Sequence, residues 1–174
     1  MGIEVTIIDD SDRVGWAASA TRTGELSMTD VKSMVTNVLR HLSASAPYSR
    51  VCTPGMTTAA KMSRLNILDH GNTSGVEIGT DWITLSTFSR FQPDLARLSG
   101  TFDTGGFAHL QHCEAGMNIP LLQLFADTLG APVVAGRGLH NPVYRANFGY
   151  YARVYPTPSG GGTRPGADSF FWRP

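Results

Sequence analysis

The sequence predicts an α/β domain with a mainly parallel sheet, helices on both faces and one small β-hairpin. Three observations predict it. Short apolar runs at 3–8, 64–68, 107–112 and 131–135 alternate with segments of helical period at 30–42, 87–98 and 118–129, the pattern of strands joined by crossover helices. Three of the five residues at 64–68 and three of the six at 107–112 are apolar, and each run stops at polar residues, in keeping with strands inside a parallel sheet. Both stop abruptly at chemically capable residues, Asp69-His70-Gly71 and Cys113-Glu114-Ala115-Gly116, and such folds bind ligands beyond the carboxyl ends of their strands. With 174 residues, 41% of them apolar, the chain suffices for one domain with a continuous core. Residues 1–156 are read as that domain and 157–174 as a Pro/Gly-rich tail.

Each element has its own warrant. Residues 3–8, Ile-Glu-Val-Thr-Ile-Ile, are β-branched and end at Asp9-Asp10-Ser11-Asp12, a polar cluster that no strand continues through. Residues 9–24 read as loop, with Trp16-Ala-Ala an apolar island. Ser27 and Thr29 are both candidate caps for the helix over 30–42, where Val31, Met34, Val35, Val38, Leu39 and Leu42 form one stripe. Residues 43–61 are aperiodic and rich in small residues, a surface loop that holds Cys52. After the strand at 64–68, residues 72–75 form a turn and 76–85 a hairpin turning near 79–81. Ser86 caps the helix at 87–98; Pro93 would bend it or delay its start, and Gly100 ends it. Asp103-Thr-Gly-Gly106 turns the chain into the strand at 107–112. The helix at 118–129 tolerates Pro120 in its first turn and stops at Gly130. A strand at 131–135, a loop at 136–142 and an edge strand at 148–155 follow. The tail is expected to be extended or unordered, with its aromatic tip, residues 170–172, against the body.

Composition excludes several functions. Fourteen Lys and Arg balance fourteen Asp and Glu, which leaves no electrostatic footprint for nucleic acid or an anionic membrane. No apolar run approaches the ~20 residues that span a bilayer, and the amino terminus lacks the basic and apolar regions of a signal peptide. A cytoplasmic protein is expected, or one delivered out of the cell by a route independent of a signal peptide. Met1-Gly2 fits a myristoylation pattern formally, but the same residues lead into a strand. Cys52 and Cys113 are too few for a disulfide scaffold and lack metal-ligand spacing; no cofactor or metal is expected.

The chemistry concentrates on His70 and Cys113, delivered to the same sheet edge as a nucleophile and its proton-transfer partner. The main-chain amides of Gly71 and Cys113 could form an oxyanion hole, since a Gly after the histidine lets a carbonyl approach the backbone without meeting a Cβ. His70 would protonate the leaving amine and later activate water. Strand alternation sends His112 to the face opposite Cys113, so His109 and His112 read as packing residues. A zinc site from His70, His109, His112 and Cys113 is the competing assignment, and it lacks the ligand spacing of known sites.

Leu65-Asn-Ile-Leu-Asp-His70-Gly71 and Gln111-His-Cys-Glu-Ala-Gly116 together resemble the two catalytic blocks of the caspase and hemoglobinase-type cysteine peptidases, and the caspase-like domains of large bacterial surface proteins. The resemblance covers about residues 60–140. It implies a caspase-like three-layer sandwich, a His70/Cys113 dyad, a thioester intermediate and a protein or peptide substrate. The residues flanking the thiol, His112 and Glu114, match no single subfamily. Relatives cleave after charged or amide residues, and the segment after the cysteine lines the pocket. Arg137 could therefore accept an acidic side chain, whereas Asp69, Asp103 or Glu114 could favour a basic one; Gln111 also joins the substrate-binding set. Asp69 could instead merely orient His70 through the main chain. Pairing of two copies through 148–155, a cognate inhibitor or immunity protein, and a role as a bacterial toxin, effector or defence protease follow by the same analogy. The alternative is an inactive caspase-like module that binds a protein through 136–155.

Overall fold

In the computed structural model the described residues are 2–9, 25–45, 60–141, 143, 146–158 and 168–170. Trp16, Cys52, most of the 43–61 loop and the end of the tail lie outside them. The runs of β-branched and apolar residues form β1 (Ile3–Ile8), β3 (Met62–Leu68), β7 (Phe102–Gln111) and β8 (Val133–Gly136), joined by α1 (Val31–Ala44), α2 (Phe88–Leu95) and α3 (Ile119–Leu129). With the short β2 (Leu26–Ser27), β11 (Tyr151–Val154) and β12 (Asp168–Phe170), they build a seven-stranded sheet in the order β12-β11-β8-β7-β3-β1-β2. The five strands from β8 to β2 are parallel, and β11 is antiparallel to both its neighbours. The protein is thus α/β with a mainly parallel central sheet.

One continuous core unites the buried stripes of all three helices with alternate sheet residues: Val5 and Ile7, Leu65 and Ile67, Ala108 and Leu110, Val133 and Ala135, Ala152 and Val154. Because only one side of each strand contributes, the described helices lie on a single face, not on both. The other face carries Ile8 and Leu68 as a separate apolar pair and a polar row in which Asn66 donates to Glu4 Oε1 (2.8 Å) and Thr6 Oγ1 (3.1 Å). No described helix is long and apolar enough to cross a membrane.

Several local expectations change. Asp30, not Ser27 or Thr29, caps α1: its carboxylate accepts the Ser33 amide at 2.6 Å and Ser33 Oγ accepts the Asp30 amide at 3.1 Å, a reciprocal capping box. Thr87 rather than Ser86 precedes α2, with its hydroxyl committed to the Thr84 amide, and Pro93 sits inside the helix without delaying its start. The turn expected at 103–106 is a bulge within β7. There β3 advances from Met62 to Arg64 while β7 advances from Phe102 to Phe107, with Gly105 at φ +85°. Residues 71–72 form a third strand, β4 (Gly71–Asn72), beside the expected hairpin of β5 (Gly75–Ile78) and β6 (Asp81–Thr84). The expected loop at 136–142 contains β9 (His140–Asn141), which pairs with β10 (Ala146–Asn147). Finally, β12 pairs with Tyr151–Arg153, so part of the tail joins the sheet and β11 is not an edge open to a second copy.

Candidate active site

The central register sets the site. Leu68 of β3 is paired with Gln111 of β7, and the two chains leave the sheet side by side. His70 and Cys113, each two residues further on, therefore emerge level at the same carboxyl edge. His70 is exposed and Cys113 is a half-buried free thiol.

Asp69 anchors the histidine strand. Its Oδ1 accepts the His70 amide at 2.7 Å and its Oδ2 accepts the Gly79 amide at 2.8 Å, which fastens the strand end to the β5–β6 turn. Burial raises its pKa to about 7 against the opposing pull of these two N–H donors. With 4% of its surface exposed and both oxygens engaged, Asp69 does not present itself to a basic side chain of a substrate; it orients His70 through the main chain.

Beyond His70, Glu77 donates to the His70 carbonyl at 2.9 Å while Gly71 stands opposite Val76. That makes Gly71–Val76 a non-hydrogen-bonded pair, with the Gly71 N–H turned away from β5. A Cβ on Gly71 would meet His112 Cβ at 2.8 Å and the Cys113 carbonyl oxygen at 3.3 Å. Gly71→Ala is expected to push β4 off residues 112–113 and destabilise the fold by roughly 1–3 kcal/mol, read as a fall in the urea midpoint; an unchanged midpoint would contradict this close packing.

His112 is fully buried. Its Nε2 lies 2.8 Å from the Glu77 carbonyl oxygen, an acceptor that assigns the proton to Nε2, and burial lowers its pKa to about 4. It ties the end of β7 to β5, in keeping with a packing role. Burial also lowers the pKa of His109, whose Nδ1 lies 3.2 Å from Gln111 Nε2; the same amide donates to Asn66 Oδ1 at 3.3 Å. Gln111, 5% exposed, thus extends the polar row across the second sheet face and does not line a substrate surface. Asp103 lies at the amino end of β7, beside Gly2 and Gly106, far from the thiol. Among the described residues, no group of three or more His, Cys, Asp or Glu side chains is arranged to hold a metal ion.

The thiol itself is seated on β9. The His140 amide donates to Cys113 Sγ at 3.4 Å, and Sγ lies 4.0 Å from the His140 carbonyl oxygen. Both groups are available because Phe148 donates to the Leu139 carbonyl (2.9 Å), which makes His140–Asn147 a non-hydrogen-bonded pair facing outward. The His140 imidazole is largely buried, and burial lowers its pKa to about 4. The next residue, Glu114, is left-handed (φ 54°) and donates its amide to the Gly138 carbonyl at 2.8 Å. Glu114→Gly should relieve about 0.5–1 kcal/mol of this strain, seen as a higher melting temperature; a lower one would show that the Glu side chain stabilises the turn.

Of the expected specificity residues, Glu114 follows Cys113 directly, and Arg137 precedes Gly138, whose carbonyl accepts the Glu114 amide. The Arg137 amide donates to the Tyr150 carbonyl at 2.8 Å, and its buried Nε has no hydrogen-bond acceptor among the described residues. Leu139, Phe148 and Tyr150, 62%, 71% and 60% exposed, surround this segment. The parts that sequence reasoning missed are the main chain of His140 and the side chain of Asn147; the only signal was the glycine spacing Gly136, Gly138 and Gly149 around them. A search of protein-family models, of curated proteins and of solved structures finds no match to this chain.

Proposed function

We propose that the protein is a cysteine endopeptidase with His70 and Cys113 as its dyad. The observation that carries the reading is the β3–β7 register, which brings a histidine and a free thiol to one sheet edge. Sγ passes its proton to His70 as it attacks the scissile carbonyl carbon, and the amides of Gly71 and Cys113 take the developing oxyanion. His70 delivers that proton to the amine as the carbon–nitrogen bond breaks, leaving a thioester. It then removes a proton from water, whose oxygen attacks the thioester carbon; the acid and the thiolate are released, and His70 returns the proton to the sulfur. Arg137 is the candidate partner for an acidic side chain of the substrate and Glu114 for a basic one. In the finer fold reading the sheet is the middle layer of a caspase-like sandwich. The burial of Ile8, Asn66, Leu68 and His109 on its second face supports this, since a middle layer is covered on both sides. A cognate inhibitor protein is the partner that such a protease would require inside its producing cell.

The inactive protein-binding module gains support from one observation: Leu139, Phe148 and Tyr150 expose large apolar side chains along the 136–155 segment. Incubation with a peptide library separates the two. Cleavage by the parent and none by Cys113→Ala supports the peptidase; an intact library with the parent overturns it.

A further inference from the structure

Glu114 meets the chain leading into β9 at Gly138. Its carbonyl accepts the Glu114 amide at 2.8 Å and also the Asn147 Nδ2 group at 2.6 Å, while its own N–H donates to Asn147 Oδ1 at 3.1 Å. The Asn147 carboxamide therefore brackets both main-chain groups of Gly138. Asn147 is itself fixed, since its amide donates to the Tyr151 hydroxyl at 3.0 Å and its side chain occupies the space where Gly136 would carry a Cβ. Two residues past Gly138, the His140 amide reaches Sγ at 3.4 Å.

The geometry points to Asn147 as a positioning residue for the nucleophile: by clamping Gly138 it holds the left-handed turn after Cys113 and aims the His140 amide at the sulfur. The inference rests on Cys113 being the nucleophile. Loosening the clamp turns the His140 amide away from the sulfur and frees the turn that follows Cys113, so the thiol loses its orientation, whereas an asparagine that only stabilised the ribbon would leave thiol chemistry alone. Asn147→Ala replaces one neutral side chain by another and changes the charge of no ionisable group.

The test is iodoacetamide alkylation of Cys113 at neutral pH in a Cys52→Ser background of the full chain. Asn147→Ala is expected to slow alkylation about tenfold. Asn147→Ser, neutral and able to bond one main-chain group of Gly138, should recover part of the rate; it also serves if the alanine variant does not fold. An alkylation rate unchanged in the folded variants, or a parent thiol that iodoacetamide does not alkylate, overturns the inference. Peptide cleavage is not the readout, so a protein that cleaves nothing but shows the slowed alkylation would sink the peptidase reading alone.

Discussion

Replacing Cys113 by alanine is expected to lower kcat/KM on the best library peptide by at least ~10⁴-fold, and replacing His70 by alanine by ~10²–10⁴-fold. The asymmetry follows from their roles. Without the sulfur no thioester forms, and water alone must attack an unactivated amide. Without His70 the sulfur still sits beside the His140 amide and the main-chain amides proposed for the oxyanion are untouched, so binding and oxyanion stabilisation persist while proton transfer falls to solvent. Both variants should keep their melting temperatures within a few degrees, because His70 is exposed and Cys113 only half-buried. Cleavage that survives Cys113→Ala would remove the cysteine mechanism. A His70→Ala enzyme as fast as its parent would transfer the proton-carrying role to another group.

Acid is expected to be the second large effect. His109, His112 and His140 are held neutral by burial, His112 and His140 with pKa values of about 4. Between the ordinary histidine pKa of 6.5 and about 4, the unfolded chain binds protons that the folded chain refuses. Stability therefore rises with pH across this window and is lost as pH falls through it. For His112, fully buried, the loss by pH 4 is on the order of 3 kcal/mol. Asp69 acts in the opposite sense: its raised pKa of about 7 means that the folded chain keeps a proton that the unfolded chain has released between about pH 4 and 7, so its contribution weakens as pH rises. Three histidines against one carboxyl leave a net loss toward acid. Urea midpoints measured at several pH values between 7 and 4 should fall steadily. The slope should shrink by about one proton in His112→Gln, whose amide can still donate to the Glu77 carbonyl; an identical slope would show that His112 is not held neutral.

What could be read from the sequence was set by periodicity and length. The parallel strands and α1, α2 and α3 declare themselves because their apolar residues recur over many positions, and the ends of β3 and β7 at His70 and Cys113 follow from where those runs stop. β4, β9, β10 and β12 are two or three residues long, and their hydrogen bonds arise from neighbours brought in by the fold. The cap of α1 was ambiguous among polar residues at 27–30 until the extended backbone of Asp30 (φ −166°) decided it. Their places at strand ends put Gln111 and Asp69 among the substrate-binding candidates, but a strand end does not say what packs against it. In both cases the answer is a partner distant in sequence, Asn66 for Gln111 and Gly79 for Asp69.

The bulge at 103–106 gives β7 slack at one end only. Extra length there is absorbed before the chain enters the paired stretch from Phe107 to Gln111, so insertions, tags or labels placed at Gly105 leave the two strand ends level. No such buffer exists at the other end. One residue added between Leu68 and His70, or between Gln111 and Cys113, would displace one partner from the other by roughly 3.3 Å, the rise of a strand residue. The molecule is therefore tolerant to engineering at the amino end of β7 and intolerant where β3 and β7 leave the sheet.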